Sequence, residues 1–452
     1  MQRGTGVRVQ NWEGSIVSHP SVVVHPESVE DVIAIVKDSE TYPSPIRAIG
    51  SNHSTTRCGV ADSGTVVGMS KMDRIIDVGS DYVTAEAGAL YIDVAKELQR
   101  HGLQFYVNVE LGNLTIGSAC CGGTKDASMP GEFGQVCSYA SVIKLVTPSG
   151  ELLEVTEDAP ELLQIMRSSY GLLGIVYEAT FKVRALQPMA VHHTTYSLPD
   201  FEAQLPSLIA RGESMMLYIY PFLNAVTIEF RKYHDVEGSP NRRVWRIRNW
   251  VWKTVAPGVG TFASRFIPIR PLRYFLINRF NRIIQFALKV VVTSEYTIAT
   301  DQMIRYPPKA GMIKYTFSIW AFPEAGYTSV LRAYFEFCRQ HYREHGYRCD
   351  LLNVGYRIAE DTSSLFSYSF DGDVMTVDPV ASGASGWDDF LKAYNRFCSQ
   401  HGGVPLFNQT KWIEPEQAKK AFGDRLEKFK GYRNRYDPTN RLLNQYFEQM
   451  LA

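Results

Sequence analysis

The sequence predicts an α+β protein of two domains and a helical tail, on three observations. Strands and helices alternate irregularly over residues 1–185, the texture then shifts to longer strands around one long amphipathic helix, and Glu414 to Leu451 is mostly helical with a break at Asp437-Pro438. A chain of 452 residues can bury such cores, and 45% hydrophobic with 21% charged residues is the composition of a folded globular protein.

In chain order, Val29, Val32, Ile33 and Val36 give Ser28 to Lys37 a helical spacing, and Ile46 to Gly50 is a short strand running into a polar turn. Thr65–Met69, Ile75–Val78 and Tyr82–Ala87 read as strands, and Tyr91 to His101 as a helix. Ser141–Val146 and Leu152–Val155 flank the hairpin turn Pro148-Ser149-Gly150. Ala159 to Ser168 reads as a helix and Gly174 to Val183 as a strand. Farther on, Tyr218–Tyr220, Ala225–Phe230, Met312–Trp320, Leu351–Arg357 and Met375–Val377 read as strands, with Gly326 to Glu344 as the long helix.

Lys plus Arg and Asp plus Glu balance at 47 each, which removes the polyelectrolyte signal of a nucleic-acid-binding protein. The seven cysteines, including adjacent Cys120 and Cys121, form no CxxC spacing, so neither a disulfide framework nor a metal site is expected, and a reducing compartment fits. No apolar leader and no 18-residue uncharged apolar window occur, so a cytoplasmic protein is expected. Residues 241–294 stand apart, with eleven Lys or Arg, nine aromatics and no Asp or Glu. Such a segment suits peripheral contact with an anionic membrane, or is a helical insert with a solvated basic face; composition leaves both open.

No GxGxxG follows a strand, and three other glycine-centred turns carry the chemistry instead. Arg47-Ala48-Ile49-Gly50-Ser51-Asn52-His53-Ser54 can aim successive backbone N–H groups at a pyrophosphate. His53 would then project toward a flavin edge, where imidazole can add to the 8α-methyl. Taken alone, the turn reads as a free histidine in a polar loop. The second run is Gly112 to Lys125, in which Gly112, Thr115, Gly117, Ser118, Cys121 and Gly122 let a flat ring or phosphate approach the backbone. Third, Gly171-Leu172-Leu173-Gly174-Ile175-Val176 enters a strand and suits a nucleotide clasp through Gly174 and Ile175.

The order of these runs resembles the FAD domain of the aldonolactone and alditol oxidases, in the vanillyl-alcohol oxidase superfamily. Gln10-Asn11-Trp12, Pro26 to Val32, Gly50 to Ser54, Met69 to Ile75 and Val83 to Gly88 carry the resemblance in register. Tyr220-Pro221, Arg357-Ile358-Ala359-Glu360-Asp361 and Asp437-Pro438 with Leu443-Asn444-Gln445-Tyr446 extend it to the tail. The resemblance implies a two-subdomain PCMH-type FAD-binding domain over 1–185 and an antiparallel-sheet-and-helix substrate (cap) domain over 186–405 carrying the insert 241–294. It implies also a segment, 406–452, that returns to the FAD domain.

It further implies FAD held covalently through His53, and no cysteinyl second link because Val107 to Asn113 has no cysteine. The implied reaction is hydride transfer from a CH–OH group of a lactone, polyol or related alcohol to flavin N5, with O2 or another acceptor taking the electrons. Lys411 falls where the family has a lysine that steadies reduced flavin or helps deprotonate substrate, and Arg357 aligns with a substrate-site arginine. Gly122 lies where a small residue lets oxygen reach the flavin.

Departures from the family pattern are specific. Gly123 replaces a His, Gly355 replaces a Glu, and Asn408-Gln409-Thr410-Lys411 replaces His-Trp-x-Lys, so sugar-binding groups are lost. Cys120 to Gly134, Leu352-Asn353-Val354 and Gly402-Gly403 with Lys411 are similar to decaprenylphosphoryl-ribose oxidase, which places Lys125 on an active-site lysine. The alternative is therefore a membrane-associated flavoenzyme that oxidises, reduces or desaturates a lipid-linked or hydrophobic substrate.

Overall fold

A computed structural model describes residues 2–3, 7–234 and 242–452; residues 1, 4–6 and 235–241, which include the first residue of the basic insert, lie outside the described residues. The first helix shows how local chemistry sets the elements. Ser28 Oγ accepts from Asp31 N and the Asp31 carboxylate accepts from Ser28 N, a reciprocal cap that starts Val29–Lys37. Val32, Ile35 and Val36 turn its apolar stripe into the core.

Two sheets build the N-terminal part. In the smaller, Val22–Val24, Thr65–Gly68 and Ile46–Ile49 run parallel, with Gln2–Arg3 antiparallel at the edge. The larger is antiparallel, ordered Leu152–Val155, Ala140–Val146, Ile175–Ala185, Tyr82–Glu86, Ile75–Val78, with Leu103–Phe105 on the far end of the long central strand. The tail packs into this same core through Phe422, Phe429, Leu442 and Phe447. It is pinned there by Arg441, which donates to the carbonyls of Ile35 and Val36, and by Asn444, which donates to Cys58 and Val60.

The third sheet has eight antiparallel strands, ordered Ser294–Thr297, Met189–Ser197, Ala225–Tyr233, Ser214–Tyr220, Asn353–Ile358, Val374–Val377, Trp320–Pro323, Val404–Pro405. Its side chains alternate with the pleat. Met215, Leu217 and Ile219 pack on the helices Leu198–Ile209, Tyr327–His345 and Trp387–Gln400, whereas Met216, Tyr218 and Tyr220 face the insert.

The insert folds as Arg242–Trp250, a π-helical turn Val251–Val255, Ala256–Phe266 and Arg270–Val290. Trp245, Ile284 and Leu288 seat it on the sheet. One expected strand, Met312–Trp320, divides into Thr316–Phe317 and Trp320–Pro323, because Ser318 N bonds the Pro379 carbonyl where the chain changes sheets. No helix among the described residues is long and apolar enough to cross a membrane.

Candidate active site

The three glycine turns converge. A cavity of about 140 Å3 is lined by Ile49, Gly50, Ser51, Asn52, His53 and Ser54 from the first, Thr115, Gly117, Ser118, Cys121 and Gly122 from the second, and Gly171 and Gly174 from the third. The first two runs touch so closely that a Cβ on Gly50 would lie 2.2 Å from Thr115 Oγ1, so only hydrogen fits there. Arg47 braces the arrangement from beneath, donating to the carbonyls of Cys58, Tyr170 and Leu442.

His53 stacks on Trp12 with ring centroids 4.9 Å apart and planes 18° from parallel. Its Nε2 is buried with no hydrogen-bond partner among the described residues, and burial lowers the imidazole pKa to about 4. A neutral, desolvated imidazole with a free ring nitrogen is the nucleophilic form of histidine.

A second cavity of about 200 Å3 adjoins the first, and Leu111, Thr124 and Gln409 line both. Lys125, Asp378, Tyr356, Tyr218 and Met216 form its sheet side, Tyr306, Tyr315 and Phe317 another wall, and Trp252, Ala256, Pro257 and Phe280 of the insert close it. Lys125 Nζ lies 2.6 Å from Asp378 Oδ2 and 3.6 Å from the centroid of the Tyr356 ring. Below this pair runs a buried charge chain. Asp126 accepts from Arg231 at 2.8 Å, Arg231 donates to Glu229 at 2.6 Å, and Glu229 is also bonded by His193 and by the Tyr218 hydroxyl.

Not every expected residue comes to these cavities. Gly112 packs against Ile92 and the Ile304 carbonyl, and Ile175 is a core residue of its strand, so neither lines the first cavity. Lys411 is held by Asp388 at 2.8 Å and Ser15 at 3.3 Å and lines neither cavity; Gln409, two residues earlier, stands at the junction. Arg357 is tied to Glu324 and Asp373, and the pleat turns it away while Val354 and Tyr356 face the cavity. Asp378 and the tyrosines belong to no motif of the sequence, and Gln409 enters it only as a departure from the family's His-Trp-x-Lys pattern. The one available signal for Asp378 is an acid directly after the short buried strand Val374–Val377.

Comparison with known proteins agrees with this geometry. Residues 20–156 match the family described as FAD binding domain, and residues 179–450 match that of D-arabinono-1,4-lactone oxidase. The chain belongs to the D-arabinono-1,4-lactone oxidase family. It is 22% identical to L-gulonolactone oxidase of Mus musculus and 20% identical to L-gulono-1,4-lactone dehydrogenase of Mycobacterium tuberculosis, each alignment covering 98% of both chains. A cholesterol oxidase from Brevibacterium sterolicum superposes with a TM-score of 0.72 at 15% identity over 98% of this chain and 97% of that one, a likeness of fold.

As a member of this family the protein is an FAD-dependent oxidoreductase acting on CH–OH donors, built on the PCMH-type FAD-binding fold with a cap domain. The residues present fit the cofactor: a glycine cradle that a single Cβ would fill, and an orphaned imidazole nitrogen at its edge. Among the described residues no group of three or more His, Cys, Asp or Glu is arranged to hold a metal.

Proposed function

We propose that the protein oxidises a ring or chain CH–OH of an aldonolactone or related polyol, with FAD seated in the glycine-lined cavity and bonded to His53, and with O2 or another acceptor taking the electrons. The flavin supplies the two-electron acceptor. The protein's own residues do the rest. Gln409 and Thr124 sit where the cavities meet, Lys125 and Asp378 offer charge to a hydroxyl, and the aromatic walls exclude water. The continuity of the two cavities through Leu111, Thr124 and Gln409 carries this reading. Anaerobic mixing with L-gulono-1,4-lactone should bleach the flavin absorbance; bleaching by a reduced nicotinamide alone would replace the reading with a reductase.

A second reading concerns where the enzyme works, and one observation favours it. The outer face of the insert is apolar and basic together. Phe262, Phe266, Phe275, Ile283 and Phe286 are 60%, 58%, 52%, 63% and 66% exposed, interleaved with Arg265, Arg279 and Arg282. A solvated basic face would not carry this much open aromatic surface, whereas peripheral attachment to an anionic membrane uses both. The inner face of the same helices walls the second cavity. A membrane-held enzyme with that wall would also suit a lipid-linked or hydrophobic alcohol.

A further inference from the structure

The Lys125–Asp378 pair is costly to hold. Both side chains are almost wholly shielded, at 3% and 2% exposure, and each has given up its hydration. A pair serving stability alone would be expected to saturate its hydrogen bonds. Asp378 does not. Its Oδ2 accepts from Lys125, but Oδ1 is buried with no partner among the described residues, and the residue lines the second cavity. The strand pleat puts Thr376 on the same side, where its hydroxyl accepts from Tyr356 N and lies 3.4 Å from Lys125 Nζ, fixing the lysine head. Asp378 thus stands in the cavity wall with one buried, unpaired carboxylate oxygen and a cation beside it, near the junction where the flavin-side cavity begins.

We propose that Asp378 is the catalytic residue that accepts the hydroxyl proton of the substrate, with Lys125 as its positioning partner. This rests on the oxidase reading above. In the step, the substrate O–H and C–H bonds break and the carbonyl forms. The proton goes to Asp378 Oδ1, and the hydride carries its electron pair to the flavin, which is reduced by two electrons. Lys125 keeps Asp378 ionised before the step, and the charge pair becomes a cation beside a neutral acid after it.

The electrostatics agree. Burial raises the Asp378 carboxyl to about pH 6 against the opposing pulls of Lys125 and of the nearby Thr376 hydroxyl, and burial lowers Lys125 despite Asp378. A base poised near neutrality is better matched to an alcohol proton than an ordinary aspartate. The other ionisable groups facing it are Tyr327, Tyr356, Tyr368, Tyr394 and Cys398, all pushed upward by burial and therefore neutral near pH 6. Burial also raises the Asp126 carboxyl, which acts on Lys125, but Asp126 is paired with Arg231 and does not line the cavity, so the acid limb is assigned to Asp378.

The test uses FAD-loaded enzyme and the variants Asp378→Asn, Asp378→Glu and Lys125→Met. With L-gulono-1,4-lactone, Asp378→Asn should slow anaerobic flavin reduction by about 10²–10⁴-fold and abolish the acid limb near pH 6, while lactone binding, read from the flavin spectrum, shifts little. Asp378→Glu should restore part of the rate. A rate and pH profile for Asp378→Asn equal to the parent's would overturn the proposal. Independently of turnover, pH-difference infrared spectra of the parent should show a buried carboxylic acid titrating near pH 6 that disappears in Asp378→Asn. Absence of that band overturns the proposal even if no lactone bleaches the parent, an outcome that would instead remove the substrate reading.

Discussion

The His53 imidazole stacks on the Trp12 indole at 4.9 Å, so Trp12 fixes the ring that lines the glycine-rich cavity. His53→Ala should leave the flavin extractable by acid, whereas the parent should keep yellow fluorescence on a denaturing gel. The same burial gives a pH signature. A histidine whose folded pKa is depressed to about 4 from 6.5 contributes stability that is complete above pH 6.5 and is lost as pH falls toward 4. The flavin-free protein should therefore melt at lower temperature on acidification through that window, with a shallower slope in His53→Ala.

Gly50→Ala tests the cradle. The new methyl would meet Thr115 Oγ1, Cγ2 and Cβ, all within 2.9 Å, so the two turns must separate. Overpacking of this kind costs roughly 1–3 kcal/mol. A lowered urea midpoint together with weakened FAD retention is expected; unchanged flavin content would show that the turns yield without consequence.

Arg231 holds together the buried charge chain next to the second cavity. Arg231→Met leaves Glu229 and Asp126 buried without their cation, and breaking such a pair costs about 3–5 kcal/mol, read as a fall in the urea midpoint. Burial alone would raise Glu229, but Arg231 and His193 outweigh it and hold the carboxyl well below its usual range. A depressed carboxylate stabilises the fold above its unfolded pKa and loses that contribution as pH falls. The variant should accordingly show a flatter stability profile in acid than the parent.

Lys411 and Gln409 make a decisive pair. Lys411→Met should change the rate of flavin reduction little, since its ammonium is engaged by Asp388 and Ser15 outside both cavities. Gln409→Leu removes a polar group at the junction and should slow reduction by about tenfold or more, the worth of about 1–3 kcal/mol for an unsatisfied or lost hydrogen bond. The reverse ranking would restore the lysine to the reacting end.

Sedimentation with vesicles tests the insert. The parent should pellet with phosphatidylglycerol vesicles at low salt and not with phosphatidylcholine alone. Replacing exposed Arg242, Arg243 and Arg246 with Glu, or Phe275 and Phe286 with Ser, should release it; unaltered partitioning would sink the membrane reading. Arg248 is left out because it is buried and paired with Glu110, unlike the exposed Arg242, Arg243 and Arg246 of the same helix.

The local sequence determined a good deal by itself. Ser28 and Asp31 write a helix start, Pro148-Ser149-Gly150 writes a hairpin, and the small residues from Gly50 to Ser54 and Gly112 to Lys125 mark backbone that something must approach closely. These signals were legible because capping, turn and contact chemistry act over a few residues. What the chain could not show is which side of a strand meets the cavity. A shift of one residue decides whether Arg357 or Tyr356 faces the second cavity, and a shift of two separates Lys411 from Gln409. Asp378 and Lys125 lie 253 positions apart and become partners only when the large sheet folds back over the second glycine run. Register, pleat and long-range packing are settled by burying both faces of that sheet at once, and this balance of buried area and satisfied polar groups exists only in the assembled tertiary structure.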